Sequence, residues 1–203
     1  QQAWAPFKRV LIIGAGSGND VARALNWLPK DAEIDAVEID PVIQSIGSAL
    51  HPDKPFQDRR AKVTLNDGRN FLRKAPNETY DLVVFALIDS LVLQSGYSNL
   101  RLESYLFTLE SFKDVARVLK PTGVYAVYNF FRKGWLACRI RDQLRTAFDG
   151  SDPVVMTFPP QPNIPLELFD QDGFTMFFAA RPAVLEPLRT SFAREKRLSL
   201  IHI

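Results

Sequence analysis

The stretch "VLIIGAGSGND", residues 10–20, decides how the rest of the chain is read. A β-rich apolar run ends in Gly14, Gly16 and Gly18, and the following "NDVARALNWL" has helical spacing. Glycine at such a strand-to-helix turn allows positive φ and lets a ligand approach the backbone closely. The helix starting near Asn19 adds exposed N–H groups and a positive dipole end. Glu38 closes the next strand, about 20 residues on, where a carboxylate can accept the hydroxyls of a ribose. A dinucleotide loop needs a glycine three places after Gly16, and that position is Asn19. Alternate glycines at 14, 16 and 18 instead fit the pattern of S-adenosylmethionine sites.

Outward from this turn, strand and helix signals alternate. "EIDAVEID" predicts a second strand, and "PVIQSIGSALH" a helix opened by Pro41. "AKVTLND" is a third strand, "GRNFLRKA" a short helix, and "YDLVVFAL" a fourth strand. The longest helical pattern, "LESYLFTLESFKDVARVL" at 102–119, is stopped by Lys120-Pro121. "GVYAVYNF" makes a fifth strand and "WLACRIRDQLRTAF" a helix. "PVVMTF" and "FTMFFAA" predict a terminal hairpin, and residues 181–203 one basic helix that contains Pro187. The expected fold is α/β and Rossmann-like: a three-layer sandwich around a seven-stranded, mostly parallel sheet, with ligands at its carboxyl edge.

Composition narrows the class. The 203 residues fit a single domain, with a core over about 8–180 and the basic tail at 181–203. Hydrophobic residues make up 46% and charged residues 24%, a soluble balance, and no apolar run is long enough to span a bilayer. The chain lacks a starting Met, so it reads as processed or as part of something longer, with room for membrane-spanning segments outside it. One cysteine, Cys138, and two histidines, His51 and His202, exclude an internal disulfide and argue against a metal centre. A net charge of +2 gives no case for nucleic acid.

"VLIIGAGSGND", "DAVEIDPVI", "VTLNDGRNFL", "YDLVVF" and "YLFTLESFKDVARVLKPTGV" together resemble the spermidine synthase group of the class I methyltransferase fold, over residues 8–130. The resemblance implies that the cofactor lies along Gly14, Ala15, Gly16, Ser17 and Gly18, with Glu38 and Ile39 at the ribose and Asp67-Gly68 at the adenine. It also implies decarboxylated S-adenosylmethionine, or S-adenosylmethionine itself, as co-substrate, and a small amine as acceptor. It is closest to the spermidine-synthase-like domains often fused to membrane spans. Three departures stand out. Ser17 replaces the family's Asp in the glycine turn, Ala86 stands where its catalytic Asp is expected, and the family's N-terminal β-domain is absent before Arg9.

These departures bear on the chemistry. A primary ammonium, with a pKa near 10.4, must lose a proton before its nitrogen can attack carbon. Ala86 cannot take that proton. Asp89, three residues later, is the remaining catalytic candidate, read either as a substrate-facing carboxylate or as a helix cap in "IDSL". Tyr97, Arg101 and Glu103 in the following loop, and Tyr128 and Asn129 after strand five, are candidate substrate contacts, with Glu110 a further acidic residue nearby. Arg132, Lys133, Arg139, Arg141 and Arg145 read as a solvated basic face, His51 as structural, Cys138 as a small core residue, and Phe131 and Trp135 as core, interface or membrane-proximal.

The leading expectation is therefore an aminopropyltransferase of polyamine biosynthesis, cytoplasmic or the soluble domain of a membrane protein, compatible with a homodimer. The alternatives are a methyltransferase and a nucleoside-binding domain without turnover.

Overall fold

The computed structural model describes residues 7–88, 105–130, 134–158 and 174–194. Strand β1 (Arg9–Ile13) runs into helix α1 (Asn19–Trp27), followed by β2 (Glu33–Glu38), α2 (Pro41–Leu50), β3 (Ala61–Leu65), α3 (Gly68–Lys74) and β4 (Tyr80–Ala86). Then come α4 (Leu109–Val118), β5 (Leu119–Phe130), α5 (Gly134–Ala147), β6 (Val154–Phe158), β7 (Phe174–Ala179) and α6 (Pro182–Arg194). They form one seven-stranded sheet in the order β3-β2-β1-β4-β5-β7-β6. β1 to β5 are parallel, and β7 is antiparallel to both β5 and β6.

The run "VLII" explains why β1 is central. Val10, Leu11, Ile12 and Ile13 are all buried, because helices cover both faces of the sheet. Leu11 and Ile13 join Val83, Phe85, Leu72, Phe112, Val115 and Ile140 beneath α3, α4 and α5. Val10 and Ile12 point the other way, to Val21 and Leu25 of α1, while Leu185 of α6 packs with Val124 and Met156. Parity along a single strand thus builds the three layers. Chain order reverses between β1 and β4, and this reversal opens the crevice at the carboxyl ends of the strands.

The amino edge is fastened by charge. Buried Asp35 accepts hydrogen bonds from Arg9 Nη2 (2.8 Å) and Tyr80 Oη (2.9 Å). The Asp81 carboxylate accepts the backbone N–H groups of Lys8 (3.0 Å) and Arg9 (2.8 Å) and the Lys120 ammonium (2.9 Å). Partial burial pushes the Asp81 pKa up, but Lys120 and the two N–H donors outweigh it and hold it below the ordinary 3.8. A depressed folded-state pKa means stability present above about pH 4 and lost as pH falls through the folded value. Asp81→Asn is expected to lower the melting temperature at neutral pH and to flatten its decline in acid. Equal acid slopes for the two proteins in a pH series of thermal melts would contradict this.

Four sequence expectations need correction. The helix predicted from Leu102 begins at Leu109, because the Thr108 side chain caps it by accepting the Ser111 N–H. Strand five starts at Leu119 rather than Gly123, with an irregularity in its pairing to β4 between Tyr80 and Leu82. A 3-10 turn at Pro55–Gln57, absent from the sequence reading, packs against Gly18. Cys138 is only half-buried rather than a core residue, and Trp135, read as core, interface or membrane-proximal, is 64% exposed, which removes the first of those alternatives. α6 does continue through Pro187, as the tail pattern required.

Candidate functional site

The glycine turn is built as a set of close backbone approaches. Gly14, Gly16 and Gly18 take φ of 78°, 55° and 105°, the left-handed region that side chains disfavour. The N–H groups of Gly14 and Ala15 both donate to Val37 O, at 2.9 and 3.0 Å, tying the turn to the end of β2. Gly18 closes a further bond to Ala15 O (2.9 Å) and caps α1 without a side chain. A Cβ on Gly14 would lie 2.8 Å from Ile88 Cγ1, so the exit of β4 leans directly over the turn.

Glu38 is buried, and three backbone donors hold its carboxylate. Gly16 N–H reaches Oε2 at 2.7 Å, while Ile39 and Asp40 N–H reach Oε1 at 2.9 and 2.8 Å. A carboxylate offers about four lone-pair positions. One therefore remains, on Oε2, for an incoming hydroxyl. Asp40 in turn caps α2 by accepting Val42 and Ile43 N–H at 2.7 and 3.2 Å. Ile39, half exposed, offers an apolar surface beside this carboxylate.

Asp67 ends the β3 exit one strand further along. Its Oδ1 accepts the Asn70 N–H (2.8 Å), which caps α3. Gly68 allows the tight descent of that helix, since a Cβ there would sit 2.4 Å from Ile13 Cγ2. At the carboxyl end of β5, Tyr128 Oη donates to Asp20 Oδ1 in the first turn of α1, at 2.5 Å. Burial, then the hydrogen bond to Asp20 and its charge, raise the Tyr128 pKa far above its ordinary value, so this hydroxyl stays a donor. Buried Asn129 fixes the exit of β4 by donating to Ile88 O (3.1 Å).

The fold thus gathers Gly14, Ala15, Gly16, Ser17, Gly18, Glu38, Ile39, Asp67, Gly68 and Tyr128 at the carboxyl edge of the sheet. Ala86 is buried at the end of β4, paired with Tyr128. Asp89, Tyr97, Arg101 and Glu103 lie outside the described residues, as do Arg132 and Lys133. His51 has a local role: its Nδ1 accepts the Asp53 N–H (3.1 Å), which leaves the Nε2 hydrogen for Asn19 Oδ1 (3.1 Å). Among the described residues no group of three or more His, Cys, Asp or Glu could hold a metal ion, and no helix is long and apolar enough to cross a membrane.

Gly47 and Asp20 were missed by sequence reading. A Cβ on Gly47 would stand 2.3 Å from Ser17 O and 2.7 Å from its C and Cα, so α2 rests directly on the glycine turn. The only signal for this was a glycine inside an otherwise good helix, which usually marks close packing. Asp20 gave no signal, because its partner is 108 residues away.

Comparison with known proteins extends these observations. Residues 4–166 match the family model described as the spermine/spermidine synthase domain. Spermidine synthase 1 of Pisum sativum is 32% identical over 150 residues, covering 71% of this chain and 41% of that protein. Putrescine N-methyltransferase 2 of Nicotiana attenuata is likewise 32% identical over 150 residues, covering 71% of this chain and 37% of its own. The chain thus spans about two-fifths of the length of these relatives. A crystal structure of spermidine synthase in complex with the transition state analogue AdoDATO superposes with a TM-score of 0.68 at 19% identity, over 98% of this chain and 63% of that one. The match to the family model over most of its length, on a sheet of the order drawn above, makes this chain a member of the spermine/spermidine synthase family.

Proposed function

We propose that this chain binds decarboxylated S-adenosylmethionine at the carboxyl edge of the sheet and transfers its aminopropyl group to a small amine. One observation carries the cofactor class: the Gly16 N–H is bonded to Glu38. In a dinucleotide site the glycine turn offers such N–H groups to a pyrophosphate. Here a carboxylate has taken the donor, and Asp20 and Asp67 stand at the same edge. Anionic surroundings repel phosphate and favour a cationic sulfonium nucleoside.

In this reading Gly14 to Gly18 leave room for the sulfonium arm, and Glu38 accepts one ribose hydroxyl at its remaining lone pair. Ile39 offers a face to the base and Asp67 an acceptor for its amine. The amine nitrogen attacks the carbon beside sulfur, the C–S bond breaks, and its electron pair stays on sulfur as a neutral thioether. For that attack the acceptor ammonium must first give up a proton, so that a neutral nitrogen meets the carbon. Alignment of nitrogen, carbon and sulfur supplies most of the acceleration. Tyr128 cannot take the proton, because its hydroxyl is a donor to Asp20. Asp89 is the proposed acceptor, and Tyr97, Arg101 and Glu103 are proposed acceptor-amine contacts.

Methyl transfer is the second reading, and Ala86 favours it: β4 ends without a carboxylate to bind and deprotonate an ammonium. The likeness to a putrescine N-methyltransferase points the same way. Mass spectrometry of reactions with a panel of diamines separates the two. Methylthioadenosine with an amine extended by an aminopropyl group supports the first reading. S-adenosylhomocysteine with a methylated amine replaces it by the second. Turnover of neither sulfonium with any diamine would overturn both.

A further inference from the structure

Asp20 and Tyr128 tie the first turn of α1 to the carboxyl end of β5. An acidic residue suits the first turn of a helix, because the dipole favours its charge. That role asks for nothing from β5, yet the Tyr128 hydroxyl donates to Asp20 Oδ1 at 2.5 Å. The Tyr128 ring is itself packed, its centroid 5.5 Å from that of Phe174 on β7. The contacts around this pair run in a closed circuit at the sheet edge. A Cβ on Gly14 would stand 3.1 Å from Ala86 O, Ala86 is the register partner of Tyr128, and Tyr128 reaches Asp20, which follows Gly18 by two residues. Ala86 brings only a methyl group to this circuit, so Asp20 is its one carboxylate.

The pair keeps acceptors in reserve. Asp20 is half-buried, and among the described residues no cation forms an ion pair with it. Arg23, one turn along α1, is exposed and does not bond it. One of the lone-pair positions of Asp20 is used by Tyr128, which leaves Oδ2. The phenol gives its only hydrogen to Asp20, so its own oxygen is left with acceptor capacity alone. A half-buried carboxylate without a counter-charge, beside a second acceptor, matches a group that brings several donors and a positive charge. A primary ammonium has three donors and no acceptor. Two ligands of the sulfonium reading carry that group: the aminopropyl arm of the nucleoside and the acceptor amine.

We propose that Asp20, held by Tyr128, is the specificity-determining carboxylate of the site and binds a primary alkylammonium. The inference rests on the sulfonium reading, and its test separates the two. The probes for calorimetric titration are decarboxylated S-adenosylmethionine, methylthioadenosine, which is the same nucleoside without the ammonium arm, and 1,4-diaminobutane added over saturating methylthioadenosine. In Asp20→Asn the amide oxygen keeps the Tyr128 bond, while the NH2 takes the place of Oδ2 and turns a donor toward the cation. This variant is expected to bind an ammonium-bearing ligand tenfold to 100-fold more weakly, on the order of one lost bond to a charged group, with methylthioadenosine affinity unchanged. Loss with the decarboxylated nucleoside assigns Asp20 to the arm, and loss confined to the diamine assigns it to the acceptor. Tyr128→Phe keeps the carboxylate but frees its orientation, and should weaken the same ligand by a smaller factor, again sparing methylthioadenosine. An Asp20→Asn protein that binds all three probes as the unmodified protein does would overturn the proposal alone. So would an equal loss of methylthioadenosine in both variants, which is the mark of a purely structural tie between α1 and β5. Failure of the unmodified protein to bind either nucleoside would instead remove the sulfonium reading and this inference with it.

Discussion

Glu38→Gln is expected to weaken binding of the sulfonium nucleoside by roughly tenfold to 100-fold, the range set by losing a hydrogen bond to a charged acceptor. The geometry explains why the isosteric change suffices. Ile39 and Asp40 N–H both point at Oε1, so the remaining amide oxygen of glutamine settles there. Its NH2 then faces the Gly16 N–H, donor against donor, where Oε2 stood. The turn loses its tie to β2 at Gly16, and the ribose loses its acceptor. Stability should fall by about 1–2 kcal/mol, the penalty of one unsatisfied buried donor. Glu38→Ala strips all three donors and should destabilise the fold further. Calorimetric titration beside thermal melts checks both. A glutamine variant that binds as tightly as the original would show that Glu38 is scaffold alone.

Gly47→Ala should produce the second large effect, with a sign opposite to helix propensity. Alanine inside a helix is ordinarily more stable than glycine by about 1 kcal/mol. Here the added methyl carbon would lie 2.3 Å from the Ser17 carbonyl oxygen, and backbone cannot swing aside as a flexible side chain does. Either α2 lifts or the turn shifts, and both strain the Gly16–Glu38 bond. Overpacking of this kind costs about 1–3 kcal/mol. The expected outcome is a lower melting temperature, with nucleoside affinity reduced at least tenfold, the equivalent of about 1.4 kcal/mol. A raised melting temperature with unchanged affinity would mean that α2 does not support the turn.

Most of the fold was legible because local pattern and global arrangement agree. The apolar runs at 10–13 and 82–86 read as interior strands, and the burial of Val10 to Ile13 and of Val83, Phe85 and Ala86 agrees. The terminal pair of strands was readable from composition, although the insertion of β7 between β5 and β6 comes from sheet pairing that no local signal encodes. The start of α4 was misread because the apolar spacing continues upstream of Leu109. The Thr108 cap, a local competitor for the backbone, was the signal that should have ended it.

Legibility of the site divides along the same line. Gly14, Gly16, Gly18, Glu38 and Asp67 announce themselves through position at strand ends, where the fold places ligands. What could not be read was the occupancy of their hydrogen bonds. Sequence places Glu38 near a ribose but cannot tell that three of its lone pairs are already taken by backbone. Nor can it bring Gly47 against Ser17 or Tyr128 against Asp20, which only the packed sheet and helices juxtapose.

The most direct test of the central claim is calorimetric titration of the protein with decarboxylated S-adenosylmethionine, S-adenosylmethionine and NAD in parallel. The anionic edge formed by Asp20, Glu38 and Asp67 predicts binding of the sulfonium nucleosides, with the decarboxylated form preferred because it carries one negative charge fewer, and no heat from NAD. Binding of NAD with neither sulfonium, or binding of none of the three, would contradict the account.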